Sequence, residues 1–103
     1  MSMDMNELMK QAQQMQAEIG RLQQEAATET VEASAGGGMV TAKANGAREI
    51  VSISIKPEAI DASDPEMLED MIVAATNEAL RASDRMLQAR LGGLMGGLGL
   101  PGL

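Results

Sequence analysis

The chain has 103 residues, enough for one domain, and its 15 acidic and 8 basic residues give a net charge of −7. It contains no Cys, His, Phe, Tyr or Trp. These absences exclude the usual zinc and haem sites, thiol nucleophiles, Ser-His-Asp triads, disulfides and the reading of bases by aromatic stacking. We therefore expect a small non-catalytic domain without a cofactor.

The two ends of the chain bear on its location. Asp4, Glu7 and Lys10 leave no room for the apolar region of a secretory signal after Met1. The longest uncharged segment, residues 91–103, is rich in Gly and too short to cross a bilayer. We therefore expect a cytoplasmic protein without membrane contact.

The first predicted element is a helix over residues 4–27, with Asp4 as its N-cap and Glu7 completing a capping box. Apolar residues recur along it at alternating spacings of three and four, the heptad pattern of a coiled-coil seam: Met5, Leu8, Ala12, Met15, Ile19, Leu22 and Ala26. The seam packs either on its own domain or against another chain, and the pattern leaves both open. Because a small monomer cannot cover two amphipathic helices, oligomerisation is the simpler arrangement.

Residues 29–55 change to an alternating pattern, which predicts three antiparallel strands joined in sequence. The strands are expected over residues 31–35, 40–44 and 51–55, with Gly36–Gly38 after the first and Pro57 closing the third. The dipeptide Asn45-Gly46 between two alternating segments is typical of a two-residue hairpin turn.

The predicted hairpin tip carries a candidate phosphate site. With a two-residue turn, Lys43 lies opposite Arg48, and two cations held together at an exposed tip are suited to binding phosphate. A longer loop would break this pairing. A solvated tip with Glu49 as the local counter-charge is the alternative.

A second helix is predicted from about residue 64 to about Arg90. Either Ser63 caps it with Glu66 at the third position, or Asp64 caps it with Pro65 at the first. Gly92-Gly93 is expected to end it, which divides the chain into a domain over residues 1–91 and a flexible Gly- and Leu-rich tail over residues 92–103. The acidic residues between 58 and 70 lack the ligand order of an EF-hand, so they indicate a capped helix start and no metal site.

Several segments in chain order carry a family resemblance: Leu8–Gln16, Ala35–Val40, Asn45-Gly46, Glu66–Asp70, Ala74–Ala79 and Gly96–Gly102. Together they resemble the YbaB/EbfC family of bacterial nucleoid-associated proteins over nearly the whole chain. Ala33 and Thr76 depart from the pattern, since Gly and Phe are common at these places. The resemblance implies an α+β protomer of helix, three-stranded antiparallel sheet and helix, and a homodimer with long helical arms. It also implies binding to double-stranded DNA with little sequence preference, and no catalysis.

The candidate DNA contacts are basic residues, although the net negative charge opposes DNA binding. Residues 43–56 and 81–103 are net positive, on either side of a strongly acidic segment. Arg85 and Arg90 have no acid three or four residues away and are the preferred phosphate contacts. Lys10, Arg21 and Arg81 have acids within one turn, which favours local ion pairing. Lys10 is kept through the resemblance. The full candidate set is Lys10, Arg21, Lys43, Arg48, Arg81, Arg85 and Arg90.

The candidate dimer contacts are apolar residues of the first helix and of the second and third strands: Leu8, Met15, Ile19, Leu22, Val40, Val51 and Ile53. The function predicted from these features is a nucleoid-associated homodimer that binds double-stranded DNA, organising the nucleoid or regulating gene expression. The alternative is a helical protein–protein interaction module whose DNA contact is incidental. No small-molecule substrate is indicated.

Overall fold

The computed structural model describes residues 4–97. These residues form α1 (Met5–Thr28), β1 (Thr30–Ala35), β2 (Val40–Asn45), β3 (Ile50–Ile55), a 3₁₀ turn (Pro57–Ala59) and α2 (Pro65–Gly97). The predicted α+β protomer of helix, three-stranded antiparallel sheet and helix is therefore confirmed. The end of the predicted tail, residues 98–103, lies outside the described residues.

The start of α1 has the predicted cap. The Asp4 side chain accepts a hydrogen bond of 2.8 Å from the backbone N–H of Glu7, which satisfies one of the unpaired donors of the first turn. The helix has 24 residues and is therefore about 36 Å long. Its bounds agree with the predicted 4–27 to within one residue at each end.

The sheet has the order β1-β2-β3, with both pairs antiparallel. Val40, Ala42 and Ala44 of the central strand point toward α2 and are fully buried. The opposite face is polar, because Lys43 pairs with Glu32 across β1 and β2 and further hydroxyl side chains lie on the same face. The alternation of apolar and polar residues along β2 therefore gives the sheet one buried face and one solvent-exposed face. The small alanine side chains on the buried face allow α2 to approach closely.

The start of α2 decides between the two predicted caps in favour of Asp64. Its carboxylate accepts a hydrogen bond of 3.3 Å from the backbone N–H of Met67, and Pro65 is the first helical residue. Ser63 instead donates its hydroxyl to Asp61 at 2.7 Å. This contact and the backbone N–H of Ser63 hold the pKa of Asp61 below its ordinary value.

The end of α2 differs from the prediction, because Gly92-Gly93 does not end the helix, which continues to Gly97. A helical glycine costs about 1 kcal/mol relative to alanine, and this cost is small enough for packing to offset. Leu94 is half-buried and shares a groove with Met15 of α1, so packing on α1 favours the longer helix. Residues 92–97 are thus helical, while the division of the chain at residue 91 stays a prediction.

One junction fastens α1, the β2–β3 hairpin and α2 together. The backbone N–H of Gly46 donates to the carbonyl of Ala26 at 2.9 Å, and a Cβ atom on Gly46 would collide with that carbonyl. On the other side, the buried Ser83 hydroxyl donates to the carbonyl of Asn45 at 2.5 Å. From this junction α1 and residues 84–97 of α2 extend away from the sheet as one arm, and the molecule measures 73 × 23 × 16 Å.

Candidate nucleic-acid interface

The hairpin tip does not have the predicted two-residue turn. In the β2–β3 register Lys43 faces Ser52 and Ala44 faces Ile50, with a bulge between these pairs. The Asn45 side chain organises a longer loop, because its Oδ1 accepts the backbone N–H of Ala47 at 2.9 Å and of Glu49 at 3.1 Å.

The longer loop separates the two cations that were expected to face each other. Lys43 lies on the polar sheet face with its Nζ 3.3 Å from a carboxylate oxygen of Glu32. Arg48 has a left-handed backbone (φ 61°), and its Nε lies 3.1 Å from Asp84 of α2. The predicted phosphate site built from Lys43 opposite Arg48 is therefore wrong, although both side chains remain exposed.

Two arginines of α2 share one carboxylate. Arg81 Nε lies 3.0 Å from one oxygen of Glu78, and a terminal nitrogen of Arg85 lies 2.9 Å from the other. The hydrogen bond from Arg85, followed by that from Arg81, holds the pKa of Glu78 below its ordinary value. The expectation that Arg85 is unopposed is wrong, because its acid lies seven residues away, two helical turns, and an arginine side chain spans that distance.

The remaining arginines of the candidate set are also paired. Arg90 pairs with Glu29, which follows α1, so the expectation of an unopposed Arg90 is wrong too. Only folding brings these two residues together. Arg21 pairs with Glu18 and Glu25 as its helical spacing predicts, and the hydrogen bond with Glu18 raises the pKa of the guanidinium.

Within residues 4–97, Lys10 and Lys56 are the basic residues without a carboxylate oxygen inside 4.0 Å. Lys10 lies on the outer part of α1, and Lys56 follows β3 beside the turn at Gly38. The expected ion pair between Lys10 and Glu7 is therefore wrong. Lys56 is not in the candidate set predicted from the sequence, although it belongs to the net-positive segment 43–56.

All the ion pairs at the candidate cations lie at the surface, with at least one exposed partner in each. Exposed ion pairs are worth only about 0–1 kcal/mol, because water screens the attraction and two flexible side chains must be ordered. The arginines can therefore exchange a carboxylate for another anion. What the structure corrects is the idea that the preferred contacts are already unopposed.

The third strand presents an uncovered apolar surface. Because α2 lies over β1 and β2, Ile50, Val51 and Ile53 are 36%, 49% and 43% exposed. Val51 and Ile53 were predicted dimer contacts, and Ile50 was missed because the bulge that aligns it with Ala44 has no sequence signal. Val40 has to be corrected, since it is fully buried in the core of its own chain and has no surface left for a partner.

The α1 seam is divided between its own chain and solvent. Toward the junction, Met15, Ile19 and Leu22 are half-buried, whereas Leu8 near the outer end is exposed. The inner part of the seam therefore packs within its own chain, whereas packing of the exposed outer part against another chain stays a prediction. None of these apolar positions bears a group that could act in catalysis.

These features define a class of protein: a small helix–sheet–helix domain with exposed arginines and an uncovered apolar strand at its surface. Within residues 4–97, no group of three or more acidic side chains is placed to hold a metal ion. The helices of the same residues include none with the length and apolar character needed to cross a membrane.

Comparison with known proteins gives the family. The model of the YbaB/EbfC DNA-binding family matches residues 1–98, and the chain belongs to this family. The resemblance noted in the sequence is thus confirmed. The description of the family specifies DNA binding and names no catalytic activity.

Relatives and a solved structure agree with this assignment. The chain is 51% identical over 100 residues to nucleoid-associated protein Teth39_2199 of Thermoanaerobacter pseudethanolicus, covering 97% of this chain and 90% of the relative. It is 54% identical to a nucleoid-associated protein of Pelotomaculum thermopropionicum, covering 97% and 95%. The crystal structure of uncharacterized protein HP0035 from Helicobacter pylori has the same fold, with a TM-score of 0.79, 22% identity and coverage of 91% and 99%.

Proposed function

We propose that the chain acts as a cytoplasmic, nucleoid-associated homodimer that binds double-stranded DNA with little sequence specificity. The observation that carries this proposal is the set of exposed, exchangeable arginines on a member of a DNA-binding family. Without aromatic side chains, contacts to the phosphate backbone are the available mode, and such contacts carry no sequence information.

The electrostatics of this binding follow from counting contacts. If three to five cations of each chain reach phosphate, a dimer makes about 6–10 contacts, and log affinity falls with log salt at a slope of about −5 to −9. The candidate cations are those of the predicted set together with Lys56. Binding of this kind is strong at low salt and weak at physiological salt, and it suits an abundant protein that coats DNA.

The homodimer is supported by the uncovered face of β3. A two-fold interface uses each patch twice, so Ile50, Val51 and Ile53 contribute six aliphatic side chains. At about 1 kcal/mol for the exposed half of each side chain, these contribute about 6 kcal/mol. A micromolar dimer needs about 8 kcal/mol, so the interface has to extend beyond the strand to neighbouring surfaces.

The dimer is tested by Ile53→Glu, which places a charge on the apolar face of β3. Ser54→Glu is the matched control, because it adds the same charge to the same strand on the polar face. Light scattering during gel filtration is expected to give a dimer mass for the wild type and Ser54→Glu and a monomer mass for Ile53→Glu. A monomeric wild type would refute the homodimer.

DNA binding is tested with two labelled duplexes of unrelated sequence, titrated at several salt concentrations between 50 and 200 mM. The labels are needed because the protein has no Trp or Tyr to report binding. Similar affinities for both duplexes and a steep negative salt slope are expected. A preference of more than about tenfold for one duplex would contradict nonspecific binding. Tenfold corresponds to about 1.4 kcal/mol, and a single mismatched base pair costs a sequence-specific protein about 1–3 kcal/mol.

The second candidate function, a helical interaction module, rests on the outer end of α1. Met5 and Met9 are 74% and 58% exposed there, beside the exposed Leu8. Methionine-rich surfaces adapt to varied partners. Absence of duplex binding at the lowest salt concentration would favour this function over the first.

A further inference from the structure

Arg81, Arg85 and Glu78 form a compact group on one flank of α2. Arg81 and Arg85 are four residues apart, so their side chains leave the same face of the helix. Each guanidinium binds a different oxygen of the single Glu78 carboxylate, at 3.0 Å and 2.9 Å. The two arginines therefore converge on one anion, and all three side chains are accessible to solvent.

The geometry is that of an anion site with an internal occupant. A carboxylate presents two oxygens to paired guanidinium groups in much the same way as a phosphate does. Two adjacent arginines without a shared anion would repel each other, so Glu78 also keeps them together while no ligand is bound. The group retains a net positive charge of one, which attracts a phosphate before any exchange takes place.

We infer that Arg81 and Arg85 form a two-arginine site for one DNA phosphate, and that Glu78 is its built-in competitor, displaced when the phosphate binds. This inference rests on the proposed DNA binding and adds to it a residue, Glu78, that sets affinity without touching DNA. Because its ion pairs are exposed, the carboxylate is exchanged at little cost, yet each binding event has to include that exchange.

Competition by Glu78 has two measurable consequences. Two exposed ion pairs have to be broken at each protomer, so removing the carboxylate is expected to tighten duplex binding by about 2- to 30-fold per engaged protomer. In addition, a displaced Glu78 recaptures a cation from solution, which cancels part of the counterion release at the phosphate. Removing it should steepen the salt slope by about 1 per protomer.

The test compares Glu78→Gln with Glu69→Gln in the full chain, using one labelled duplex at several salt concentrations. Both variants remove one negative charge from a solvent-accessible side chain of α2, but Glu69 has no cation within 4.0 Å among the described residues. Glu78→Gln is expected to bind more tightly with a steeper slope, and Glu69→Gln to differ from the wild type by less than about twofold. The gain from Glu78→Gln should vanish when both arginines are absent. The variant with Arg81→Gln and Arg85→Gln should therefore bind the duplex as tightly as the variant that carries Glu78→Gln in addition.

The outcomes separate this inference from the proposed function. If the wild type binds the duplex but Glu78→Gln and Glu69→Gln have equal affinities and slopes, competition by Glu78 is overturned while DNA binding stands. A gain that survives loss of both arginines would overturn it as well, since general charge would then be the cause. If neither the wild type nor Glu78→Gln binds duplex at low salt, both proposals fail together.

Discussion

The junction of the three elements can be tested with one methyl group, by the substitution Gly46→Ala. The Cβ atom of an alanine at this position would overlap the carbonyl oxygen and the side chain of Ala26. Because both are parts of packed elements and neither is the far end of a flexible side chain, the hairpin has to move away from the end of α1. The hydrogen bond from Gly46 N–H to Ala26 O is then lost.

The expected loss of stability has two parts. Overpacking of a close contact costs about 1–3 kcal/mol, and loss of a backbone hydrogen bond costs about 1 kcal/mol. Gly46→Ala is thus expected to lower the free energy of unfolding by about 2–4 kcal/mol. That is a large share of the roughly 5–15 kcal/mol that holds a domain of this size together.

The assay is chemical denaturation followed by circular dichroism at 222 nm, since fluorescence is silent in this chain. Protomer concentration has to be the same for all variants, because dimerisation adds to apparent stability. Gly20→Ala is the control: nothing lies within 4 Å of a Cβ there, and the helical position should gain about 1 kcal/mol. If Gly46→Ala cost less than about 1 kcal/mol, the close approach of hairpin and α1 would be refuted.

Three further predictions concern α2. Gly92→Ala and Gly93→Ala should each stabilise the protein by about 1 kcal/mol in denaturation experiments, because both positions are helical with open space around the new Cβ; no change would mean that the helix ends earlier. Asp64→Ala should cost about 1 kcal/mol and Ser63→Ala much less, since Asp64 alone caps the helix; equal losses would contradict this. The lowered pKa of Glu78 means that its ion pairs contribute stability above pH 4.5, and that this contribution is lost as the pH falls below that value. As the pH is lowered from 6 to 3, the melting temperature should therefore fall less in Glu78→Gln than in the wild type. Parallel curves of melting temperature against pH would refute the pairing.

Local sequence patterns were sufficient for the order and class of the elements. The heptad spacing predicted α1, and the alternation of residues on either side of Gly36–Gly38 predicted β1 and β2. Each spacing matches the period at which side chains return to the same face of that element. The Asp4 cap followed from a single residue type at a helix start. These features depend on neighbours within a few residues, which a sequence displays directly.

Features that depend on distant residues could not be predicted in the same way. The Asn45-Gly46 dipeptide favours a two-residue turn. In the structure, however, the carbonyl of Asn45 also accepts a hydrogen bond from the Ser83 hydroxyl, and the backbone N–H of Gly46 donates to the carbonyl of Ala26. These tertiary contacts, together with the hydrogen bonds that the Asn45 side chain accepts from Ala47 and Glu49, favour the longer loop. Arg90 is a similar case, because its partner Glu29 is brought close only after α1 and α2 pack.

The pairing of Arg85 lies between these two cases. Glu78 and Arg85 are two turns apart on one helix, about 10 Å along its axis, and the long arginine side chain closes the gap. A rule limited to acids three or four residues away therefore understates the neutralisation of arginines on long helices. Extending the rule to seven residues would have found this pair from the sequence.

The net charge of −7 is a poor guide to DNA binding because the acidic start of α2 lies far from the arginines of the same helix. Glu66 and Arg85 are separated by about 28 Å along the helix, nearly three Debye lengths at 0.1 M salt. Repulsion of DNA by the acidic start of α2 is therefore screened at the position of the arginines. The carboxylates that matter are those in direct contact with a guanidinium, above all Glu78, because they have to be displaced and not merely screened. Added salt consequently weakens the acidic segment's repulsion, the phosphate contacts and the exposed ion pairs of Glu78 alike.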